Sequence, residues 1–339
     1  GLILDSANNR ALVTAAGLKA LVSVDLTSGA RTIVSNNSTP DVVNSFSAPR
    51  GVAIDIANNR ALVADDGDGT EALIAVNLTS GSRTIISNNS TPNAINTFID
   101  PYGLALDSVN DRALVTDFTL GALVAVDFTS GARTIVSNSG TPDAVNAFIN
   151  PHNTVIDRPN NRALVIDVNL GALVAVDLTS GVRTIVSNNS TPDAVNDFSF
   201  PIDVKLDSAN NRALVIDNGL DALVAVDLTS GVRSIISNSS TPDNVNAMNY
   251  PQGVVLDSGN NRVLVTDRGD LGNNALVAVD LTSGARTIVS NDSTPDSVNS
   301  FRGPRGVAID IANNRALVAD NNGDGTEALI AVNLTSGSR

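Results

Sequence analysis

Two loops of this chain contain acidic side chains whose spacing is suited to binding a metal ion. Carboxylate and amide oxygens crowd around glycine in both loops, which is typical of the start of a calcium-binding loop. The candidate ligands are Asp320, Asn322 and Asp324 in one loop and Asp65, Asp66 and Asp68 in the other. A complete calcium loop ends on a bidentate Glu, and Ala331 stands at that position here. The loops therefore predict either a Ca²⁺ site or plain acidic turns.

A second candidate site comes from one variable position that follows a recurrent proline. The residues at this position are Arg50, Tyr102, His152, Ile202, Gln252 and Arg305, and Asn153 and Asp203 replace the glycine that comes next in other units. Variation within otherwise uniform units predicts a small-ligand or ion site. The alternative is neutral sequence variation at a solvent-exposed rim. His152 is the only histidine and the chain has no cysteine, which excludes a multi-histidine or cysteine-ligated metal site within one chain. With no evident Ser or Asp triad, His152 is interpreted as a rim residue rather than a general base.

A repeat of about 50 residues must position these side chains. Its anchor is the arginine of NNRALV, which recurs as Arg10, Arg60, Arg112, Arg162, Arg212, Arg262 and Arg315. A fixed period of this length indicates a repeat architecture. We predict a single domain over residues 1–339, built from units 1–49, 50–101, 102–151, 152–201, 202–251, 252–304 and a partial unit 305–339.

One unit reads as four short strands joined by turns. In the third unit strand A ends at Asp107, strand B follows from Arg112, strand C is the apolar run ALVAVD, and strand D begins at Arg133 after a Thr-Ser-Gly turn. The connection from strand D to the next strand A contains Thr-Pro-Asp, which predicts a single helical turn. One apolar residue after that turn is expected to pack between neighbouring sheets: Phe46, Phe98, Phe148, Phe198, Met248 and Phe301.

Such antiparallel sheets are too apolar to stand alone, and sheets arranged around an axis cover each other's faces. The fold class is therefore all-β, a β-propeller of seven blades in which the last blade lacks its outer strand. Six blades with an overhanging unit are the alternative. The open edge of the last strand C is expected to be completed by a neighbouring chain or by further residues.

Two recurrent acidic positions are interpreted as structural. The aspartates that close strand B are expected to accept hydrogen bonds from loop amides. The strand A aspartate and the strand B arginine, such as Asp107 and Arg112, are expected to pair across their hairpin. A residue that recurs in every unit favours scaffold over catalysis, because an active site needs one copy.

Composition limits the partners. The net charge of −14 argues against nucleic acid, which requires basic surfaces, and no apolar run is long enough for a membrane span. The acidic, lysine-poor composition favours an extracellular or cell-surface setting. The chain opens at GLILD without a signal peptide, which is typical of a mature or excerpted sequence.

The pattern Pro-x-Gly-Val-Ala-x-Asp followed by Asn-Asn-Arg-Ala-Leu-Val-x-Asp resembles the NHL, YVTN and regucalcin/gluconolactonase group of β-propellers over the whole chain. In its lactonase members, acidic and amide residues at the channel mouth hold a divalent metal. The resemblance thus implies an alternative function, a metal-dependent lactonase with Asn153, Asp203 and His152 at the site. The variable rim position carries no carboxylate, which departs from that pattern. We favour a non-enzymatic binding or structural scaffold with a protein or small-molecule ligand at the channel face, and with self-assembly through the last blade.

Overall fold

The computed structural model describes residues 1–67, 71–269, 274–321 and 328–339, and these residues form strands with short turns. Contacts divide the chain into two compact units. Unit 1 comprises residues 1–170 and 174–184, and unit 2 comprises residues 171–173 and 185–339. No helix in the described part of the chain is long and apolar enough to cross a membrane.

The first four sheets each contain four strands in chain order, as the repeat predicts. Blade one has β1 (Leu2–Asp5), β2 (Arg10–Ala15), β3 (Ala20–Asp25) and β4 (Arg31–Asn36); blade two has β5 (Pro49–Asp55), β6 (Arg60–Asp65), β7 (Ala72–Asn77) and β8 (Arg83–Asn88); blade three has β9 (Pro101–Asp107), β10 (Arg112–Asp117), β11 (Ala122–Asp127) and β12 (Arg133–Ser137); blade four has β13 (Pro151–Asp157), β14 (Arg162–Asp167), β15 (Ala172–Asp177) and β16 (Arg183–Ser187).

The remaining sheets follow the same order, but the last one has three strands among the described residues. Blade five has β17 (Pro201–Asp207), β18 (Arg212–Asp217), β19 (Ala222–Asp227) and β20 (Arg233–Ser237); blade six has β21 (Pro251–Asp257), β22 (Arg262–Asp267), β23 (Ala275–Asp280) and β24 (Arg286–Asn291); blade seven has β25 (Pro304–Asp310), β26 (Arg315–Asp320) and β27 (Ala328–Asn333). The fold is thus all-β, a seven-bladed β-propeller whose last blade has three strands, as the sequence predicted.

Each hairpin between strands A and B is closed by an aspartate and an arginine. In blade three the Asp107 carboxylate accepts hydrogen bonds from Arg112 Nε at 2.8 Å and Asn110 Nδ2 at 2.8 Å. Asp111 adopts the left-handed conformation with φ 48°, which Asn and Asp tolerate. Although burial opposes ionisation, these donors lower the pKa of Asp107. The predicted structural pair is confirmed. In five hairpins the turn is a 3₁₀ segment: Ser6–Asn8, Arg158–Asn160, Ser208–Asn210, Ser258–Asn260 and Ile311–Asn313.

Strand C forms the centre of each internal blade and is buried on both faces. In β11 the first five residues are buried, and only Asp127 is half-exposed. Leu62 and Leu73 of blade two pack in one cluster with Ala113, Val115 and other residues of blade three. Sheet-on-sheet burial of this kind supplies about 25 cal/mol per Å² of apolar surface removed from water. The continuous apolar run of strand C therefore follows from its position between two neighbouring sheets.

The aspartate that ends strand B organises the loop that precedes strand A of the same blade and the loop that follows strand B. The Asp117 carboxylate accepts hydrogen bonds from the amides of Ile99 at 2.7 Å, Asp100 at 3.0 Å and Leu120 at 2.9 Å. Burial raises the pKa of the Asp117 carboxyl, while these amides act in the opposite direction. The predicted role of this aspartate in binding loop amides is confirmed.

The connection from strand D to strand A does not contain the predicted helical turn. Its Thr141–Pro142 peptide bond is cis, and the segment consists of bends and turns. Asn138 Oδ1 accepts the amide of Thr141 at 2.8 Å, and Asp143 Oδ1 accepts the amide of Val145 at 2.8 Å. Side-chain oxygens thus satisfy the amides locally, which competes with helix formation. The apolar residue that follows is buried in every connection, as predicted: Phe46, Phe98, Phe148, Phe198, Met248 and Phe301.

A buried arginine at the start of strand D joins each connection to the next blade. The Arg183 side chain is 0% exposed, and its guanidinium donates to the carbonyls of the preceding connection. Nη1 contacts Asn138 O at 2.6 Å and Thr141 O at 2.9 Å, while Nη2 contacts Asp143 O at 2.6 Å and Val145 O at 2.7 Å. The guanidinium also lies 5.9 Å from the centroid of the Phe148 ring. Burial lowers the pKa of Arg183, but an arginine stays protonated in proteins.

Replacing Arg183 with alanine is expected to lower the free energy of unfolding by about 3 kcal/mol or more, because several carbonyls lose a charged donor. Chemical denaturation measures this loss. Arg31→Ala is the matched control, since Arg31 begins strand D of blade one and is exposed; it should change stability by less than about 0.5 kcal/mol. Equal losses in the two variants would contradict the structural role assigned to Arg183.

Replacing Asp117 with asparagine is expected to destabilise the protein by about 1–3 kcal/mol at neutral pH, since one acceptor oxygen is lost. The raised pKa means that the folded state binds a proton before the unfolded state does. The wild type therefore gains stability relative to Asp117→Asn as the pH falls from about 7 to about 4.5.

Asp127→Asn is the control for this pH dependence. Asp127 is half-exposed, and hydrogen bonds from Ser130 lower the pKa of its carboxyl. Its contribution to stability should stay constant over the same pH range and decline only in stronger acid. Denaturation curves recorded across the range measure both differences. Parallel pH profiles for the two variants would contradict the assignment.

Candidate functional site

Three of the predicted rim residues come together in unit 1. Arg50, Tyr102 and His152 are each the second residue of a strand A, in β5, β9 and β13. The side chains are half-buried. In each of these strands the pairing with strand B shifts register close to the proline that begins it. The repeat thus places three different side chains at equivalent positions of three successive blades.

These side chains form a stacked cluster. The Tyr102 and His152 rings have centroids 4.1 Å apart with an interplanar angle of 39°. Phe118 lies 6.3 Å from each ring and meets His152 edge-on at 78°. The Arg50 guanidinium lies 4.9 Å from the centroid of Tyr102. We call Arg50, Tyr102, Phe118 and His152 the aromatic rim cluster; its contacts combine cation–π attraction with offset aromatic packing.

Two carboxylates accompany the cluster. Arg50 Nη2 forms an ion pair with Asp66 and lies 3.9 Å from Asp100 Oδ1. Burial raises the pKa of Asp66, repulsion from Asp100 adds to the effect, and Arg50 opposes it. The cluster therefore presents aromatic faces beside a guanidinium and two acids, which can hold a polar molecule that contains a ring or a charged group.

Backbone contacts fix the strands that carry the cluster. Thr116 Oγ1 donates to His152 O at 2.7 Å and accepts the Gly103 amide at 2.9 Å. A Cβ at Gly103 would lie 2.6 Å from His152 O, so the close approach of these two strands requires glycine. The same donation recurs between Thr14 and Arg50 O at 2.6 Å. Threonine in strand B thus ties neighbouring blades together directly beneath the rim.

The other rim residues have separate surroundings. In unit 1 Asn153 Oδ1 accepts the amide of Thr154 at 2.8 Å. In unit 2 the Asp203 carboxylate contacts Lys205 Nζ at 3.1 Å and accepts the amide of Val254 at 3.1 Å.

Gln252 and Arg305 lie at the equivalent position of β21 and β25. The Gln252 amide is at the limit of hydrogen bonding to the carbonyls of Tyr250 and Pro251, at 3.5 Å from each. The carbonyl of Arg305 accepts a hydrogen bond from Thr266 Oγ1.

The predicted calcium ligands are partly described. Asp65 accepts the amides of Ser47 at 2.8 Å and Ala48 at 2.9 Å. Asp320 accepts the amides of Arg302 at 3.0 Å and Gly303 at 2.7 Å. Asp66 is paired with Arg50, and the other predicted ligands, Asp68, Asn322 and Asp324, lie outside the described residues. Within the described ranges, no three His, Cys, Asp or Glu side chains are grouped to hold a metal ion. Calcium binding by these loops stays a prediction.

Sequence reasoning did not identify Phe118, Asp100 or Lys205 as part of either site. Phe118 follows the strand B aspartate, at a position that holds Val168, Asn218 and Arg268 in later blades. That variation was a usable signal. Asp100 lies one residue before the strand A proline, where Asn150 and Tyr250 occur elsewhere. Because aspartate recurs at many structural positions of the repeat, one further aspartate in a single blade is not a distinctive signal.

No established family model matches the sequence, and no curated protein is a detectable relative. Solved structures are similar in fold. The extracellular domain of a proposed one-component system of Bacteroides thetaiotaomicron has a TM-score of 0.70 at 12% identity, over 100% of this chain and 41% of that one. This chain therefore spans about two fifths of that protein's length.

Two further structures match over almost their whole length. A Bacteroides uniformis protein proposed to be a 6-phosphogluconolactonase has a TM-score of 0.61 at 14% identity, over 100% of this chain and 92% of that one. Kuenenia stuttgartiensis hydrazine synthase has a TM-score of 0.69 at 11% identity, over 99% of this chain and 95% of that one. At such low identity these similarities support the β-propeller fold and carry no activity to this chain.

Proposed function

We propose that this chain is a non-enzymatic binding module of the extracellular type, related to the NHL and regucalcin-like propellers, with the aromatic rim cluster as its ligand surface. The observation that carries the proposal is the convergence of Arg50, Tyr102 and His152 from three successive blades. The residues that build the blades recur from unit to unit, whereas these three differ in type and still contact one another. The extracellular setting is supported by the similar fold of an extracellular bacterial domain.

The chemistry of the cluster favours binding over catalysis. Stacked rings provide apolar faces, and Arg50 with Asp66 and Asp100 provides charged groups at their edge. A pyranose sugar or a short peptide with an aromatic or charged side chain matches this combination. The lactonase-like alternative would instead place a divalent metal near Asn153, Asp203 and His152. The Asp203 carboxylate contacts Lys205, which competes with a cation for the same oxygens.

Binding to the cluster is expected to change the fluorescence of Tyr102. The chain has two tyrosines and no tryptophan, so Tyr250→Phe leaves Tyr102 as the only strong fluorophore. Titration of this variant with pyranose sugars and short charged peptides should give a saturable change for at least one probe. His152→Ala should weaken that response by more than about tenfold, because it removes the stacked ring and its imidazole.

Gln252→Ala is the matched control, since it changes the same strand position in blade six, outside the aromatic rim cluster. It should leave the titration unchanged. A lactone hydrolysis assay tests the alternative function. Metal-dependent turnover that disappears in Asp203→Ala, together with no saturable fluorescence response, would contradict the binding proposal and support the enzyme.

We further propose that blade seven recruits a fourth strand from another chain. Its sheet ends at β27, which is an edge strand among the described residues. Edge strands present unpaired amides and carbonyls that favour strand addition. A neighbouring copy or a further unit of the repeat would supply strand D.

Strand addition at β27 predicts concentration-dependent assembly in sedimentation experiments. A synthetic peptide with the strand D sequence of residues 286–291 should compete with assembly, because it occupies the same edge. Ala331→Lys, at an exposed position of β27, should reduce assembly by adding charge to the edge. A chain that stays monomeric at every concentration and does not bind the peptide would contradict this proposal.

A further inference from the structure

The arginine that begins strand D of blade one differs from its counterparts. Arg31 is exposed, whereas the equivalent side chains are buried against the connection of the preceding blade: Arg83, Arg133, Arg183, Arg233, Arg286 and Arg339. Among the residues that the structure describes, the Arg31 guanidinium has no hydrogen-bond partner. The first strand D thus exposes to solvent the arginine that binds a connection in the other blades.

The counterparts define what this arginine binds. Arg83 donates through Nη1 to Ser35 Oγ at 2.6 Å and through Nη2 to Asp41 O at 2.7 Å and Val43 O at 2.6 Å. In return, Asn44 Nδ2 donates to the Arg83 carbonyl at 2.9 Å. The same set of contacts recurs in later blades, including Asn96 with Arg133 O and Asn196 with Arg233 O. A connection with the sequence Ser-Asn-x-Ser-Thr-Pro-Asp-x-Val-Asn therefore fits this arginine through backbone carbonyls and one reciprocal asparagine.

The surface around Arg31 is already in the conformation that the buried copies use. Asp25 Oδ1 accepts the amides of Thr27 at 3.0 Å and Ser28 at 2.8 Å, as Asp127 does for its own turn in blade three. Gly29 has φ 72°, close to the value of 73° at Gly81. The turn of blade one therefore needs no rearrangement to receive a connection.

The surroundings of the turn glycine differ between blade one and the later blades. A Cβ at Gly81 would lie 2.0 Å from the carbonyl oxygen of Val34 in blade one, so the neighbouring strand sits against that turn. A Cβ at the corresponding glycine of a later blade would likewise lie 2.0–2.1 Å from the equivalent carbonyl oxygen. A Cβ at Gly29 would meet nothing within 4 Å. Ile33, on the same strand, is 41% exposed, while its counterpart Ile85 is half-buried.

We propose that Gly29, Arg31 and Ile33 form a docking surface for the D-to-A connection of another unit of this repeat, carried by a separate polypeptide. The interface already exists in every later blade, so its chemistry is defined residue by residue. Each of the six connections in this chain is held by its own arginine, the last one by Arg339. A connection that is not engaged elsewhere is therefore the matching partner. This surface lies on β4 and the turn before it, and it does not include the aromatic rim cluster.

The experiment uses the full chain and a synthetic peptide of residues 187–198, SNNSTPDAVNDF, which includes the Phe198 ring that lies under Arg233 at 5.6 Å. Isothermal titration calorimetry is expected to give one site per chain that depends on Arg31. Arg31→Ala should weaken peptide binding by more than about tenfold, because several charge-assisted hydrogen bonds are lost. Arg31→Lys should retain part of the affinity, since lysine keeps the charge without the planar fork.

Two controls make the result specific. A scrambled peptide of the same composition should not bind. His152→Ala should retain the Arg31-dependent binding of the peptide, so that failure of the rim proposal leaves this test intact. Peptide binding that is equal in wild type and Arg31→Ala, or no binding at millimolar concentrations to a protein with native circular dichroism, would overturn the proposal.

Discussion

A buried guanidinium that needs backbone carbonyls is the interaction on which this propeller depends. Taking an arginine out of water is costly unless its donors are satisfied. The connection that precedes each blade supplies the acceptors, and it has little regular structure of its own. Arginine and connection therefore stabilise each other: the guanidinium orders a loop of turns, and the loop makes the burial of the charge possible.

The arginine also explains why the connection is not helical. A helix would use its carbonyls internally, leaving the guanidinium of Arg183 without acceptors. Instead the carbonyls of Thr141, Asp143 and Val145 point to that one donor. The amides of the loop are satisfied by side chains such as Asn138 and Asp143. In this asparagine- and aspartate-rich connection, the side chains therefore accept hydrogen bonds from the amides, and an arginine of the next blade donates to the carbonyls.

Much of this architecture could be predicted from the sequence, because the repeat presents each structural feature six or seven times. The strands, the hairpin pair of Asp107 with Arg112 and the role of Asp117 follow from local patterns of apolar and turn-forming residues. The predicted helical turn was wrong because the partner of the Thr-Pro-Asp segment lies about 40 residues away in sequence. The arginine that begins every strand D was visible in the sequence, for example in Ala132-Arg133-Thr134-Ile135, but its buried position depends on a neighbouring blade.

The candidate site was predictable in part for a related physical reason. The variable position after the strand A proline drew Arg50, Tyr102 and His152 into one predicted site, and the contacts among them follow from equivalent positions in adjacent blades. Phe118 and Asp100 come from different loops, and only the three-dimensional packing brings them to the same place. Residues that recur in every unit identify the scaffold. A binding site depends on residues that differ from the repeat in single blades.

Contacts between neighbouring blades determine how this chain can associate with a further unit of the repeat. Each strand D arginine joins one blade to the next, and no described contact of this kind spans more than one step along the repeat, so another unit could be added without changing any existing interface. The segment that such a unit contributes contains strand D followed by its connection. The sheet of blade seven has an edge suited to the first part, and Arg31 of blade one is suited to the second. The same stretch of repeat sequence therefore matches an exposed feature in each of the two units of this protein.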